Sequence, residues 1–127
     1  MLQEFKVEII SPNESVYSNN VEEVILPCFE GQVTILKDHI PLITFLRPGL
    51  IDVGKNEKFY VEDGTVEFSN NNLLILSATV QNLKKFKIQQ ISTMINEAEK
   101  KLSTNQVSDK QRYILSYKID TLKQINQ

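Results

Sequence analysis

What this chain lacks narrows it. Its single cysteine, Cys28, rules out an intramolecular disulfide framework and fits a reducing compartment. Its single histidine, His39, stands beside Asp38 without the further ligands that zinc requires. Only four glycines are present, and they build no glycine-rich turn of the kind that cradles phosphates. Glu22-Glu23 and Glu30 have no partner pattern for paired-carboxylate catalysis. No apolar run approaches the ~20 residues that span a bilayer, so any membrane role is expected to be peripheral. The opening Met1-Leu2-Gln3-Glu4-Phe5-Lys6 carries acid early and passes straight into alternation, unlike a signal peptide or an Arg-rich transit peptide. Long repeats and low-complexity tracts are missing too.

What remains is one domain, or one domain with an appendage, long enough at 127 residues to bury about two-thirds of its unfolded surface. The first two-thirds reads as β structure. Phe5, Val7 and Ile9 alternate with Lys6 and Glu8 as far as Ser11-Pro12-Asn13. Val21 to Leu26 is a second apolar run, expected to stop at Pro27. Leu50 to Val53, Phe59 with Val61, Val66 with Phe68, and Leu73 to Leu76 follow, separated by Gly54-Lys55-Asn56, Asp63-Gly64 and Asn70-Asn71-Asn72. Asp63-Gly64 reads as a hairpin turn, because glycine accepts positive φ. Short strands at this frequency point to a sandwich or barrel.

From about residue 83 the period changes. Ile91, Met94, Ile95, Ala98 and Leu102 lie on one helical face, and Ser103-Thr104-Asn105 interrupts it. Ser108-Asp109-Lys110-Gln111 fits a capping box, and Leu115, Ile119 and Leu122 continue a second stripe. The expectation is an α+β chain: an antiparallel β-sandwich over 1–82 followed by a two-helix antiparallel hairpin over 83–127, its stripes packed on each other. The charge splits along the same line. Residues 1–82 carry 5 basic and 12 acidic side chains, a net −7; residues 83–127 carry 9 and 4, a net +5. Such asymmetry suggests that the halves meet different surroundings.

The run from Glu30 to Gly49 is the most informative. Val33 and Ile35 flank Thr34 in a short strand, the charged turn Lys37-Asp38-His39 follows, and an apolar strand closes at Pro48-Gly49. An exposed polar corner between two strands is shaped for a partner's grip. Cys28 with His39 would serve a small hydrolase, yet a cysteine after Pro27 in an apolar run reads as an inert buried side chain. Lys84, Lys85, Lys87, Lys100, Lys101, Lys110, Arg112, Lys118 and Lys123 raise nucleic acid as a partner. The attached acidic region argues against it, since phosphate binding needs charge clustered in one footprint. A stand-alone β-sandwich adaptor whose basic hairpin docks an acidic protein is the main alternative.

These residues resemble a known family, the epsilon subunits of F-type ATP synthases. The signature lies in Glu30-Gly31, His39-Ile40-Pro41-Leu42 and Pro48-Gly49, with support from Val7 to Pro12 and Phe59 to Phe68. The resemblance implies a non-catalytic rotor subunit of the central stalk, bound to the gamma subunit and seated on the ring of membrane c subunits. It would couple ring rotation through gamma to ATP synthesis and need no cofactor. By this resemblance Gln32, Lys37, Asp38 and His39 face the ring, and Ser11 and Thr44 face gamma. The tail would be regulatory, its basic face (Lys84, Lys85, Lys87, Lys100, Lys101, Arg112, Lys118) approaching the catalytic beta subunits. Extended as one helix, residues 83–127 would reach about 68 Å at ~1.5 Å per residue. Without a transit peptide, the expected place is the cytoplasmic face of a bacterial inner membrane, held indirectly through partners.

The family's Gly-x-x-Pro-Gly-His is altered here: Thr34 replaces the glycine, and Lys37-Asp38 precedes His39. Glu-Gly-Glu becomes Glu30-Gly31-Gln32. Some members bind ATP through a Leu/Ile-Asp-x-x-Arg-Ala box; the matching Phe86-Lys87-Ile88-Gln89-Gln90-Ile91 has neither the aspartate nor the arginine.

Overall fold

The computed structural model describes residues 3–125. Ten strands run in chain order: β1 (Phe5–Ile10), β2 (Ser15–Val21), β3 (Glu23–Cys28), β4 (Gly31–Leu36), β5 (Leu42–Leu46), β6 (Gly49–Val53), β7 (Glu57–Val61), β8 (Gly64–Ser69), β9 (Asn72–Leu76) and β10 (Gln81–Asn82). Hydrogen bonding follows the path β10–β7–β6–β3–β5–β8–β9–β1–β2, with β4 on the other side of β3. All neighbours are antiparallel except β1 and β9, which run parallel with Val7 opposite Leu73. β3 forms the corner of the sandwich. Its first half pairs with β6 through Val24↔Val53, while its end meets β5 through Cys28↔Leu46.

Two local readings change, and one strand is added. Pro27 does not stop the second apolar run; it lies inside β3, where its carbonyl accepts a 2.9 Å bond from the Arg47 amide. Ser15–Val21 is a strand despite its polar Ser18-Asn19-Asn20, since it pairs only with β1 and lies at the sheet's edge. Asp63-Gly64 is no hairpin. β7 pairs with β6 and β10, β8 with β5 and β9, so this turn carries the chain from one layer to the other. Gly64 has φ +149°, and a Cβ there would lie 2.6 Å from the Leu76 carbonyl oxygen. Ser77 Oγ locks the corner by donating to the Asp63 carbonyl at 2.8 Å. Asn70-Asn71, by contrast, is a two-residue hairpin turn between Ser69 and Asn72, with both φ positive at 50° and 59°.

Alternation puts Phe5, Val7 and Ile9, Val24 and Leu26, and Val66 and Phe68 in one buried cluster between the layers. β7 breaks the alternation, because Phe59, Tyr60 and Val61 are all fully buried. Phe59 and Val61 enter the main core, and Tyr60 points to the other side. There a 3-10 turn (Leu83–Lys85), α1 (Ile88–Leu102) and α2 (Asp109–Ile125) cover it. Ile91, Ile95 and Leu122 pack with Tyr60, Phe86 and Leu50 in a second core. The helical stripes thus close on the sandwich as well as on each other. The capping box forms as expected: Gln111 N donates to Ser108 Oγ and Ser108 N to Gln111 Oε1, both at 3.1 Å.

Candidate partner-binding faces

β5 is inverted at its centre, between the core residues Leu42 and Leu46. Thr44 is buried at 3% exposure, whereas Ile43 and Phe45 stand 77% and 59% exposed. The buried hydroxyl of Thr44 is satisfied by donating to Glu30 Oε1 at 3.1 Å. Leaving a large apolar side chain wet forgoes about 1.5–3 kcal/mol that burial would return. A strand that hides its threonine and shows its isoleucine and phenylalanine is made to be covered. Thr44 itself therefore offers almost no surface, and its two neighbours do.

Across the sheet the register aligns Phe45 with Thr65, Thr65 with Leu76, and Leu76 with Ile10. With Phe29, Pro12 and Ala78 these residues line an open apolar trough of about 1010 Å³. Ser11 lies at its rim, beside the turn where its hydroxyl donates to the Glu14 carbonyl at 3.3 Å. Ser11 and β5, far apart in sequence, therefore share one face. Contiguous exposed apolar surface of this kind marks an interaction site.

The polar corner is more tied down than its sequence indicates. Asp38, at φ +66°, receives the Asn71 side-chain amide at 2.9 Å, and its own amide donates to Asn71 Oδ1 at 2.7 Å. This reciprocal pair clips the β4–β5 turn to the β8–β9 turn, so Asp38 holds the corner's shape. His39 is half-buried, with its ring edge-on to Phe68 at 5.9 Å. Its Nδ1 donates to the Ile40 carbonyl at 2.7 Å. Lys37 is exposed. Gln32 is exposed too, but sits at the far end of β4, five residues away or roughly 16 Å at ~3.3 Å per strand residue. It borders a crevice with Tyr117 and Thr121 of α2. The four expected ring contacts thus follow one strand edge without forming a single patch.

Residues 4–82 match the profile of the ATP synthase delta/epsilon chain β-sandwich domain. The ATP synthase epsilon chain of Pelagibacter ubique is 42% identical, over 99% of this chain and 100% of that one. The chain belongs to the ATP synthase epsilon-chain family. The epsilon chain of Aquifex aeolicus is 36% identical over 80% of this chain and 79% of its own length. Among solved structures, a chain of the Euglena gracilis mitochondrial ATP synthase (OSCP/F1/c-ring, rotational state 1) superposes with TM-score 0.80 at 15% identity, covering 100% of this chain and 84% of that one. A chain of the Tetrahymena thermophila mitochondrial ATP synthase central stalk and c-ring gives 0.67 at 15% identity, covering 99% and 98%. At that identity both speak for the fold alone.

In this epsilon-family chain the tail's basic residues do not make one face. Lys84 pairs with Glu57 at 3.1 Å and Lys118 with Glu62 at 3.3 Å, both acids belonging to the sandwich. Arg112 Nη1 donates to the Leu102 carbonyl at 3.4 Å, across the interhelical connection. Lys85, Lys87, Lys100 and Lys101 are exposed, with Lys87 and Lys101 at opposite ends of α1, about 21 Å apart at ~1.5 Å per residue. Where some epsilon chains carry a nucleotide box, Phe86 and Ile91 are buried against Tyr60 and Leu122. The Cys28–His39 pairing loses its chemistry as well. Burial, with the Glu30 charge adding to it, pushes the Cys28 thiol up to about 11, far from a thiolate at neutral pH. Among the described residues no helix is long and apolar enough to cross a membrane.

The reading from sequence missed the exposure of Ile43 and Phe45, and it missed how α2 is held. Arg47 lies 4.0 Å over the Tyr117 ring, and Phe29 stacks on Tyr113 at 6.0 Å. A signal for the second core was present: three apolar residues in succession, Phe59-Tyr60-Val61, mark a strand covered on both faces.

Proposed function

We propose that this chain is a non-catalytic rotor subunit of the ATP synthase central stalk, passing c-ring rotation to the gamma subunit. The observation that carries the reading is inverted β5, with the apolar trough beside it. The gamma shaft is the assigned occupant, meeting Ile43, Phe45, Leu76 and Ser11. A two-layer sandwich around one core supports such a role, because torque is lost in a soft coupling. The ring's polar loops are assigned to Lys37 and His39, with Gln32 further along the same edge and Asp38 setting the turn. Membrane association is then indirect, through the ring, on the cytoplasmic face of a bacterial inner membrane. The hairpin is the regulatory element, and its exposed Lys85, Lys87, Lys100 and Lys101 are available to the catalytic beta subunits if it lifts away.

Binding of the purified chain to the gamma subunit tests the assignment. Phe45→Glu should weaken gamma binding by about 30-fold or more, the scale of a central hot spot. The thermal midpoint should hold, because the Phe45 side chain is mostly in solvent. Undiminished gamma binding would overturn the trough as the shaft's seat.

A further inference from the structure

The trough does not end at the sandwich. Phe29 forms one wall, and Lys110 from the first turn of α2 reaches the rim. Phe29 also carries the tail. Its ring stacks on Tyr113 with 15° between the planes, and its carbonyl accepts from the Tyr113 hydroxyl at 3.3 Å. Tyr113 in turn stands edge-on to Tyr117 at 4.8 Å, and Tyr117 lies under the Arg47 guanidinium. Arg47 follows directly on β5, the strand that presents Phe45. One continuous set of aromatic contacts therefore joins the trough wall to the helix and returns to the trough's own strand.

We infer that the occupant of the trough and the docked hairpin stabilise one another through Phe29 and Tyr113. This rests on the gamma subunit's being the occupant. Phe29 and Glu30 make the two-residue connection between β3 and β4, and the Phe29 amide donates to the Phe45 carbonyl at 3.1 Å, so the residue that meets Tyr113 is tied directly to the strand that presents Phe45. With α2 docked, the trough has a firm wall. When α2 lifts, the ring loses its stacking partner and the carbonyl its donor, and the occupant loses an ordered surface. Linkage requires the converse by an equal factor: a shaft pressed against Phe29 holds α2 down. The sandwich face that grips the shaft thereby also senses the tail.

Hydrogen exchange of the α2 amides in the full chain, with and without saturating gamma subunit, reads this coupling. In the wild type, gamma should slow α2 exchange by about five- to tenfold, near the low end of typical couplings. Tyr113→Ala should still bind gamma through Phe45 and Leu76, with affinity reduced by a similar factor, and its α2 exchange should no longer respond. Tyr113→Phe keeps the stack and should keep most of the response. If gamma binds the wild type and α2 exchange stays unchanged or quickens, the inference fails and the shaft assignment stands. Retention of the full response by Tyr113→Ala overturns it likewise. If gamma does not bind the wild type at all, the shaft assignment falls and this inference falls with it.

Discussion

Among the described residues, the sandwich closes on seventeen buried apolar side chains in one cluster, while the hairpin rests on a cluster of five. The smaller interface is supplemented by other means. Two ion pairs cross it, Lys84–Glu57 and Lys118–Glu62, and Arg47 covers Tyr117. It is also less tightly made. A crevice of about 370 Å³ lies between β6 and α2, and Arg47 Nε and Asp52 Oδ1, both from residues lining it, are buried without a hydrogen-bond partner among the described residues. The difference teaches where the two net charges go. The acidic sandwich and the basic tail were expected to meet different surroundings; in part they meet each other, since both ion pairs join a tail lysine to a sandwich glutamate. A body held by a large core carries an arm held by a small second core.

The comparison can be broken most forcefully at β7, which serves both cores from adjacent residues. Phe59→Ala should remove about 3–5 kcal/mol from the sandwich and lower the calorimetric midpoint of the whole chain. A loss confined to the helices would show that the hairpin, not the sandwich, governs unfolding. Leu122→Ala should cost about 2–5 kcal/mol, drawn from hairpin docking alone. Hydrogen exchange should then quicken in α1 and α2 while β1 and β9 stay protected. Equal loss of protection in both regions would mean a single cooperative unit.

The smallest effect tests how dry the sandwich is. The Cys28 thiol stands at about 11 in the folded chain against 9.0 as its ordinary value. As pH rises, the unfolded chain gives up this proton first, so the thiol's contribution is intact below pH 9 and lost between 9 and 11. A shift of this size corresponds to about 3 kcal/mol at ~1.4 kcal/mol per unit. Denaturant titrations from pH 8 to 11 should show the wild type losing on the order of 2–3 kcal/mol more than Cys28→Ala. Parallel curves would show water reaching the thiol.

How much was legible follows from what each signal reports. The Phe5, Val7, Ile9 alternation could be read because one face of β1 is wetter than the other. The capping box at Ser108 could be read to the atom because it is local. Leu42 to Leu46 could not be assigned a face, since an almost wholly apolar run has no period. Thr44 was assigned to the gamma side by resemblance to the family pattern, and the run itself gave no sign that Thr44 is buried while Ile43 and Phe45 are exposed. Asp63-Gly64 was misread because positive φ serves hairpins and interlayer corners alike. The tail's lysines suggested a single basic face only while their pairing was unknown; Glu57 and Glu62 occupy two of them. Docking of the hairpin could not be read from its own apolar stripe, which looks the same whether it meets another helix or a sheet; the signal lay in the sandwich, at Phe59-Tyr60-Val61.

The parallel pairing of β1 with β9 has a consequence for synthesis. Ile10 leaves the ribosome 66 residues before its partner Leu76, an interval of roughly 3 to 13 s at about 5–20 residues per second. Throughout that time the β1–β2 ribbon has one edge of β1 open and its apolar face uncovered. The nascent chain is then most exposed to wrong pairing and most in need of a chaperone. The strand made first waits longest for its second partner, and the helices emerge only as the surface they will rest on is being completed.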